Sequence, residues 1–571
     1  MKSTDITMMA SVPGRASHFH KRGRPCLLLA VLILLSIFAL LGSRGLNEPD
    51  EGRYAEMGRE MLEGQDWLVP TLHGFAHYQK PPIIYWLTAA SLNAFGINEW
   101  AARLPSATAA VLTAWFTFII GRRLFGERAG IFAAVVLVTS LEFFALARML
   151  TADMVFTAWI TGAITAFVLW LHEPEKRRWI WLYFAAMGMG FLTKGPMAFV
   201  VPVSAALGWQ FGCRRQKTPI RIPWLSGMAI ALSLGLSWFI IVSIRNPQLF
   251  QFFAFDELIA RVATKQHGRY QPPWFFIPVL LVGMMPWTAL LPTAMRWVLA
   301  TRRASRTLSP VWWMLGAWLI VPFCLLSLSG SKLMTYVIPL FPALALTIGA
   351  WLEHSDDGAR FVKIASLIAS GFVILALSLT LAPRLFPTII PKLPWQSLAG
   401  FWSVALILLL TPLATRVRSR VLASFALCVT TVWLLLTYHV DSWNRHLRTS
   451  SSMRDFARRI QTDQATVPIV FAYGVNAPGL EFYLGRLIHI SKGQLDDFHP
   501  PTDEQKARML SSPADCASLA PSGESLYGVI KINRLGRDFS TNTWRLVDSA
   551  GSFALIQKRE TIPSEPLIES P

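Results

Sequence analysis

Two carboxylates stand where a strongly apolar chain has little structural need of them. Asp50 falls in the run Asn47-Glu48-Pro49-Asp50-Glu51-Gly52-Arg53-Tyr54-Ala55-Glu56, directly after a first apolar stretch. Asp153 follows Arg148 and Thr151 at the end of another such stretch. Acids at that depth are rare and usually face a protein cavity. There a carboxylate can accept a proton or hold a cationic group, and Arg53 and Tyr54 are the polar neighbours of Asp50. Each acid also has a plain alternative. Pro49 can open a helix with acids in its first turn, and Thr151 or Asp153 can simply cap one.

A second set is cationic. Lys80 sits in Tyr78-Gln79-Lys80-Pro81-Pro82, where the prolines restrict the backbone. Lys194 in Thr193-Lys194-Gly195-Pro196 and Lys332 in Ser329-Gly330-Ser331-Lys332-Leu333 occupy tight turns. Arg261, His267 and Arg269 lie in one loop. A fixed ammonium and the planar guanidinium fork both suit a phosphate. The plain alternatives are a snorkelling Lys80 and lysines that cap helix ends. A lone His267 is more often a polar loop residue than a ligand, so no metal site is predicted.

The elements that hold these residues are membrane spans. With 53% hydrophobic residues, 23 Trp and 36 Phe, the 571-residue chain has the composition of a membrane protein. Its net charge of +19 is spread in short basic runs between apolar stretches, which is a topology signal and not a nucleic-acid surface. Five scattered cysteines give no disulfide framework. No small-residue cleavage site follows the first apolar run, so it is read as a retained helix.

Apolar stretches at 26–41, 104–120, 129–146, 152–171, 179–192, 196–209, 224–244, 274–298, 311–328, 333–352, 361–382, 398–413 and 421–438 predict about thirteen transmembrane helices. With the basic N-terminus cytoplasmic, alternate connections are rich in Lys and Arg, for example Arg122-Arg123 and Arg214-Arg215-Gln216-Lys217. Both acids and all the cations of interest then fall on the outer face. That face carries loops at about 46–103 and 245–273 and everything after His439. The short stretch 83–95 follows two prolines and reads as a helix lying at the outer interface. Alternating runs at 467–473, 480–490, 525–532 and 553–557 predict a small α/β domain. The expected fold class is an all-α polytopic membrane protein over 1–438 with a C-terminal α/β periplasmic domain over 439–571, in the inner membrane with a cytoplasmic N-terminus.

Neither side offers a glycine-rich nucleotide loop, so a lipid phosphate is the more fitting donor. At this point the ordered motifs resemble a family, the polyprenyl-phosphate-dependent glycosyltransferases of the GT-C fold, and among them the 4-amino-4-deoxy-L-arabinose lipid A transferases. The resemblance rests on Asp50-Glu51-Gly52-Arg53-Tyr54-Ala55-Glu56, Tyr78-Gln79-Lys80-Pro81-Pro82, Thr151-Ala152-Asp153, Thr193-Lys194-Gly195-Pro196 and Ser331-Lys332-Leu333-Met334-Thr335-Tyr336-Val337-Ile338-Pro339.

It implies an inverting sugar transfer from undecaprenyl phosphate to lipid A on the periplasmic side. It further implies that Asp50 and Asp153 are the catalytic acids and that Lys80 and Arg261 hold the donor phosphate. Arg53, Tyr54, Tyr78, Lys194, His267, Lys332 and Tyr336 would line the substrate cavity. Gln79 and Leu258 replace a Glu and a His frequent in such proteins, which removes two metal ligands, so no tightly bound divalent ion is expected. The alternatives are a protein O-mannosyltransferase-like enzyme or another polyprenyl-phosphate-sugar transferase with a different acceptor, and a lipid-linked sugar transporter or flippase. The flippase is the weaker, because transporters place charge near the midplane and show inverted repeats.

Overall fold

A bilayer offers no partner for backbone N–H and C=O groups, so apolar spans must close their hydrogen bonds within helices. The computed structural model, which describes residues 24–216, 220–253, 271–305, 308–354, 358–385, 394–414, 418–447, 452–462, 468–491, 501–520 and 525–559, is accordingly helical through most of its length. The chain begins with α1 (Arg24–Phe38), α2 (Asp50–Gly64), α3 (Ile83–Phe95), α4 (Glu99–Phe125), α5 (Glu127–Thr139) and α6 (Leu141–Ala147). Then come α7 (Ala152–His172), α8 (Arg178–Lys194), α9 (Met197–Arg215) and α10 (Trp224–Arg245). After these lie α11 (Phe276–Gly283), α12 (Leu291–Ser305), α13 (Pro310–Leu328) and α14 (Phe341–His354), and then α15 (Gly358–Leu385), α16 (Trp395–Ala414) and α17 (Arg418–Leu447).

Among the described residues six helices are long and apolar enough to cross a membrane, or eight if each of two bent pairs counts as one span. The bent pairs correct two stretches expected as straight spans. At 129–146 the axis turns by 70° between α5 and α6. The freed groups are taken up by neighbours: the Trp433 indole donates to the Thr139 carbonyl (2.9 Å), the Trp287 indole to the Thr139 hydroxyl (2.8 Å), and the Leu141 amide to the Met285 carbonyl (3.0 Å). Around 274–298 the turn is 103°, at a break holding Pro286, which has no N–H to continue a helix. The stretch at 333–352 likewise opens with a 3-10 turn, Met334–Leu340, before α14 starts.

Helix α3 forms as expected over the short apolar stretch after Pro81 and Pro82. Between α2 and α3 lies a hairpin of β1 (Thr71–Leu72) and β2 (Phe75–Ala76). Its two-residue turn needs positive φ at both positions, and His73 (58°) and Gly74 (76°) supply it.

The chain ends in a small sheet of β3 (Ile469–Tyr473), β4 (His489–Ser491), β5 (Met509–Leu510), β6 (Leu526–Lys531), β7 (Trp544–Ala550) and β8 (Phe553–Lys558), in the order β5-β4-β3-β6-β8-β7. β3, β4, β5 and β6 run parallel, and β7 and β8 close the other edge antiparallel. Helix α18 (Arg454–Thr462) and helix α19 (Pro478–Leu484) pack beside it. The expected run at 480–490 divides between α19 and β4 instead of forming one element.

This sheet domain rests on α2 and the hairpin. The Leu46 amide donates to the Tyr483 hydroxyl (2.8 Å), which donates to Glu99 (3.2 Å), and Arg454 pairs with Glu99 as well (3.2 Å). Glu481 meets His73 at 2.5 Å, while Gln505 and Arg508 reach the carbonyls of Gly74 (2.7 Å) and His73 (3.1 Å). The approach is close enough to require glycine. A Cβ on Gly479 would lie 2.1 Å from the Glu48 carboxylate, and one on Gly52 would lie 2.6 Å from it.

Candidate functional site

Helix α8 ends at Lys194, just before the positive-φ Gly195, and this directs the lysine toward the start of α7. There Thr151 caps α7: its hydroxyl accepts the Asp153 amide (3.1 Å) and donates to the Asp153 carboxylate (2.9 Å). The cap and the functional reading therefore coexist, because the other carboxylate oxygen of Asp153 pairs with the Lys194 ammonium. That ammonium also lies 4.5 Å from the ring centroid of Tyr336, on the 3-10 turn before α14.

This trio borders a cavity of about 990 Å³. Its polar lining comes from Tyr78, Gln79, Lys80, Asp153, Lys194, Ser243, Ser329, Ser331 and Tyr336. The rest of the wall is apolar, with Phe156, Phe191, Phe239, Ile240, Phe250 and Leu325 among its members. Tyr78 is buried and packs near Trp238, whose indole donates to the Leu68 carbonyl (2.8 Å), tying α10 to the loop before the hairpin. A mostly apolar chamber with a few convergent polar groups suits an amphiphile with a charged head.

Asp50 is the first residue of α2 and is exposed, pairing with Arg53 at 2.7 Å. The Arg53 guanidinium lies 5.5 Å from the centre of the Tyr54 ring. Tyr54 is buried, and burial, aided by Asp153 and Asp50, pushes its phenol up to about 12 despite the opposing charge of Arg53. Asp50, Arg53 and Tyr54 lie off the chamber lining, which Asp153 joins. Lys332 turns to the main chain, donating to the carbonyls of Gln271 (2.9 Å) and Ser329 (2.6 Å). Its neighbour Ser331 is the residue that meets the cavity. Arg261 and His267 lie outside the described residues, as does Leu258.

Sequence reasoning passed over the groups that hold the loop that follows α1. Glu51 is buried and paired with Arg44 (2.7 Å) and Arg103 (2.8 Å). Burial alone would raise its pKa, but the two guanidiniums hold it far below the ordinary carboxylate range. A signal was present, since Arg44 and Arg103 stand at the ends of apolar stretches that the expected topology turns outward, against the positive-inside trend.

A second buried group, Glu56, Glu60 and Glu481, brings one oxygen from each within 4.8 Å of the others. Both oxygens of Glu56 accept from Arg59 (2.5 and 2.8 Å), and those of Glu481 meet His73 (2.5 Å) and the Ile488 amide (3.0 Å). Glu56 and Glu481 thus face Arg59 and His73, while Glu60 accepts the Gly74 amide (2.9 Å) through Oε2.

The profile of the dolichyl-phosphate-mannose-protein mannosyltransferase family matches residues 79–241. A curated relative from Edwardsiella ictaluri, an undecaprenyl phosphate-alpha-4-amino-4-deoxy-L-arabinose arabinosyl transferase, is 34% identical over 60% of this chain and 62% of its own length. The chain thus spans about three-fifths of that relative. The enzyme of the same name from Pseudomonas savastanoi pv. phaseolicola is 32% identical over 63% of this chain and 67% of its own. The chain belongs to this arabinosyl transferase family. Among solved structures, ArnT from Cupriavidus metallidurans bound to undecaprenyl phosphate superposes with a TM-score of 0.77 at 24% identity, covering 94% of this chain and 98% of that one. Its apo form gives 0.76 at 23% identity. The arabinosyl transferase fold, of GT-C type, therefore runs through the small C-terminal sheet as well as the helical part.

Proposed function

We propose that this protein is an inner-membrane glycosyltransferase that moves 4-amino-4-deoxy-L-arabinose from undecaprenyl phosphate to lipid A, with inversion at the sugar. The single observation that carries this reading is the chamber of about 990 Å³, apolar along its walls, with Lys80, Asp153, Lys194 and Tyr336 on one lining. A polyprenyl chain suits the apolar wall and a phosphate suits the lysines. The names of the relatives supply the sugar and the carrier.

In this reading about thirteen helices span the membrane, residues 1–438 form the transferase domain, and residues 439–571 face the periplasm. The N-terminus is cytoplasmic, as the alternating basic connections require.

The transfer breaks the bond from the anomeric carbon to the phosphate oxygen and forms one from that carbon to an acceptor oxygen. Positive charge grows on the sugar and negative charge on the departing phosphate. Lys80 and Arg261 stabilise the phosphate, a role worth a few kcal/mol per donor in a dry site, on the order of 10²-fold or more in rate. A lipid A phosphate is already an anion and needs no base, so Asp153 and Asp50 position the acceptor and the sugar's amine. With a hydroxyl acceptor Asp50 takes the proton instead.

The test is transfer of radiolabelled aminoarabinose by purified protein in detergent, offered lipid A or a hydroxyl peptide as acceptor. Label on lipid A that disappears in Lys80→Ala and Asp153→Ala supports the proposal. Label only on peptide moves the assignment to a protein O-glycosyltransferase.

A further inference from the structure

The two candidate acids are far apart in sequence, yet one side chain grips the main chain beside both. Glu51 is 1% exposed. Its Oε2 accepts the Asn47 amide (3.1 Å) at the head of the turn that opens α2, three residues before Asp50. Its Oε1 accepts the Leu150 amide (2.9 Å), three residues before Asp153.

The carboxylate is held in turn. Arg103 grips it through Nε (2.8 Å) and Nη2 (3.1 Å) and also donates to the carbonyls of Leu41 (3.0 Å), Arg44 (2.8 Å) and Gly45 (2.8 Å). Arg44 grips it through Nη1 (2.7 Å) and donates to the Arg148 carbonyl through Nη2 (2.9 Å). The segment after α1, the start of α2 and the 148–151 connection thus meet on one anion. Each of these hydrogen bonds involves an ionised group in a buried place, where such bonds are strongest.

We infer that Glu51 is the positioning residue of the site: its carboxylate sets the separation of Asp50 from Asp153 by tying the Asn47 and Leu150 amides to one point. This rests on the reading of those two acids as the working pair. Glu51 itself touches no part of the cavity lining, so its contribution is geometric. A displacement of about 1 Å in a reacting group commonly costs on the order of 10²-fold in rate.

The experiment compares wild type with Glu51→Asp and Glu51→Gln as full-length protein in detergent. Glu51→Gln leaves Arg44 and Arg103 without their anion and is the destabilising variant. Glu51→Asp keeps the charge and withdraws it by one methylene, and it carries the test. The inference expects Glu51→Asp to lower kcat about 100-fold with KM for the lipid donor within about threefold. The limbs of its pH profile stay at the wild-type positions, because the residue exchanges no proton. A kcat per folded molecule equal to wild type, or a lost limb, overturns it. Amide hydrogen exchange of the peptide covering 147–152 supplies a readout without turnover: protection in wild type and faster exchange in Glu51→Asp is expected, and equal exchange overturns the inference. Wild type that fails to label lipid A defeats the functional proposal alone, while the exchange result still decides the role of Glu51.

Discussion

Lys194 and Asp153, separated by 41 residues, form an ion pair on the wall of the chamber, one at the end of α8 and the other at the start of α7. Neither is fully enclosed, with side chains 16% and 13% exposed, so a ligand entering the chamber meets both.

Lys194→Met removes the partner of Asp153 and the cation above Tyr336. Transfer should fall by about 100-fold or more, as for loss of a charge that stabilises the reacting groups. Tyr336→Leu, which removes only the ring face, should cost about tenfold, and Tyr336→Phe less. Radiolabel transfer at matched protein levels measures all three. A Lys194→Met rate within a few-fold of wild type would take Lys194 out of the site.

Gly479 is tested by steric economy. An alanine there meets the Glu48 carboxylate at 2.1 Å, and overpacking of this kind costs about 1–3 kcal/mol. Gly479→Ala should lower the melting temperature, and Glu48→Ala in the same chain should return most of it. No rescue would mean that the clash lies elsewhere.

The junction of α2 with the sheet domain should weaken as pH rises. Burial pushes Glu48, Glu56 and Glu60 above the ordinary carboxylate range. His73, which burial alone would lower, is raised by Glu481. A carboxyl raised in the folded state binds more protons there than when unfolded, so stability declines as pH climbs from the unfolded value of about 4.3 through the folded one. His73 adds stability that is complete below its unfolded value of about 6.5 and is lost as pH rises through its raised value. Glu51 acts oppositely, and its contribution is lost only on acidification below about 4.3. Thermal melts from pH 5.5 to 8 should therefore show a falling midpoint, with a shallower slope in Glu60→Gln. A midpoint that rises over this range contradicts the burial of these acids.

Chelation should leave turnover intact. Gln79 presents an amide to the chamber where the resemblance leads one to expect a carboxylate. Transfer after dialysis against EDTA is expected at the untreated rate, and a loss restored by added zinc would contradict this.

The sequence by itself determined the membrane class, the broad succession of helices and the motifs that carry the chamber. Apolar length and basic alternation are one-dimensional signals, since a bilayer reads them residue by residue. Lys80, Asp153 and Lys194 were legible because polar groups at the ends of apolar runs stand out against that pattern, and Tyr78 and Tyr336 through the resemblance. Only the tertiary structure decided which of them converge. It joined Lys194 to Asp153 and Tyr336, and it sent Lys332 to the carbonyls of Gln271 and Ser329 instead. It also bent two of the expected spans, one at Thr139, where the indoles of Trp287 and Trp433 bond the broken helix, and one at Pro286. The hub at Glu51 was invisible for the same reason: its partners Arg44, Arg103 and Leu150 meet only after four separate segments pack, and no spacing in the chain encodes that meeting.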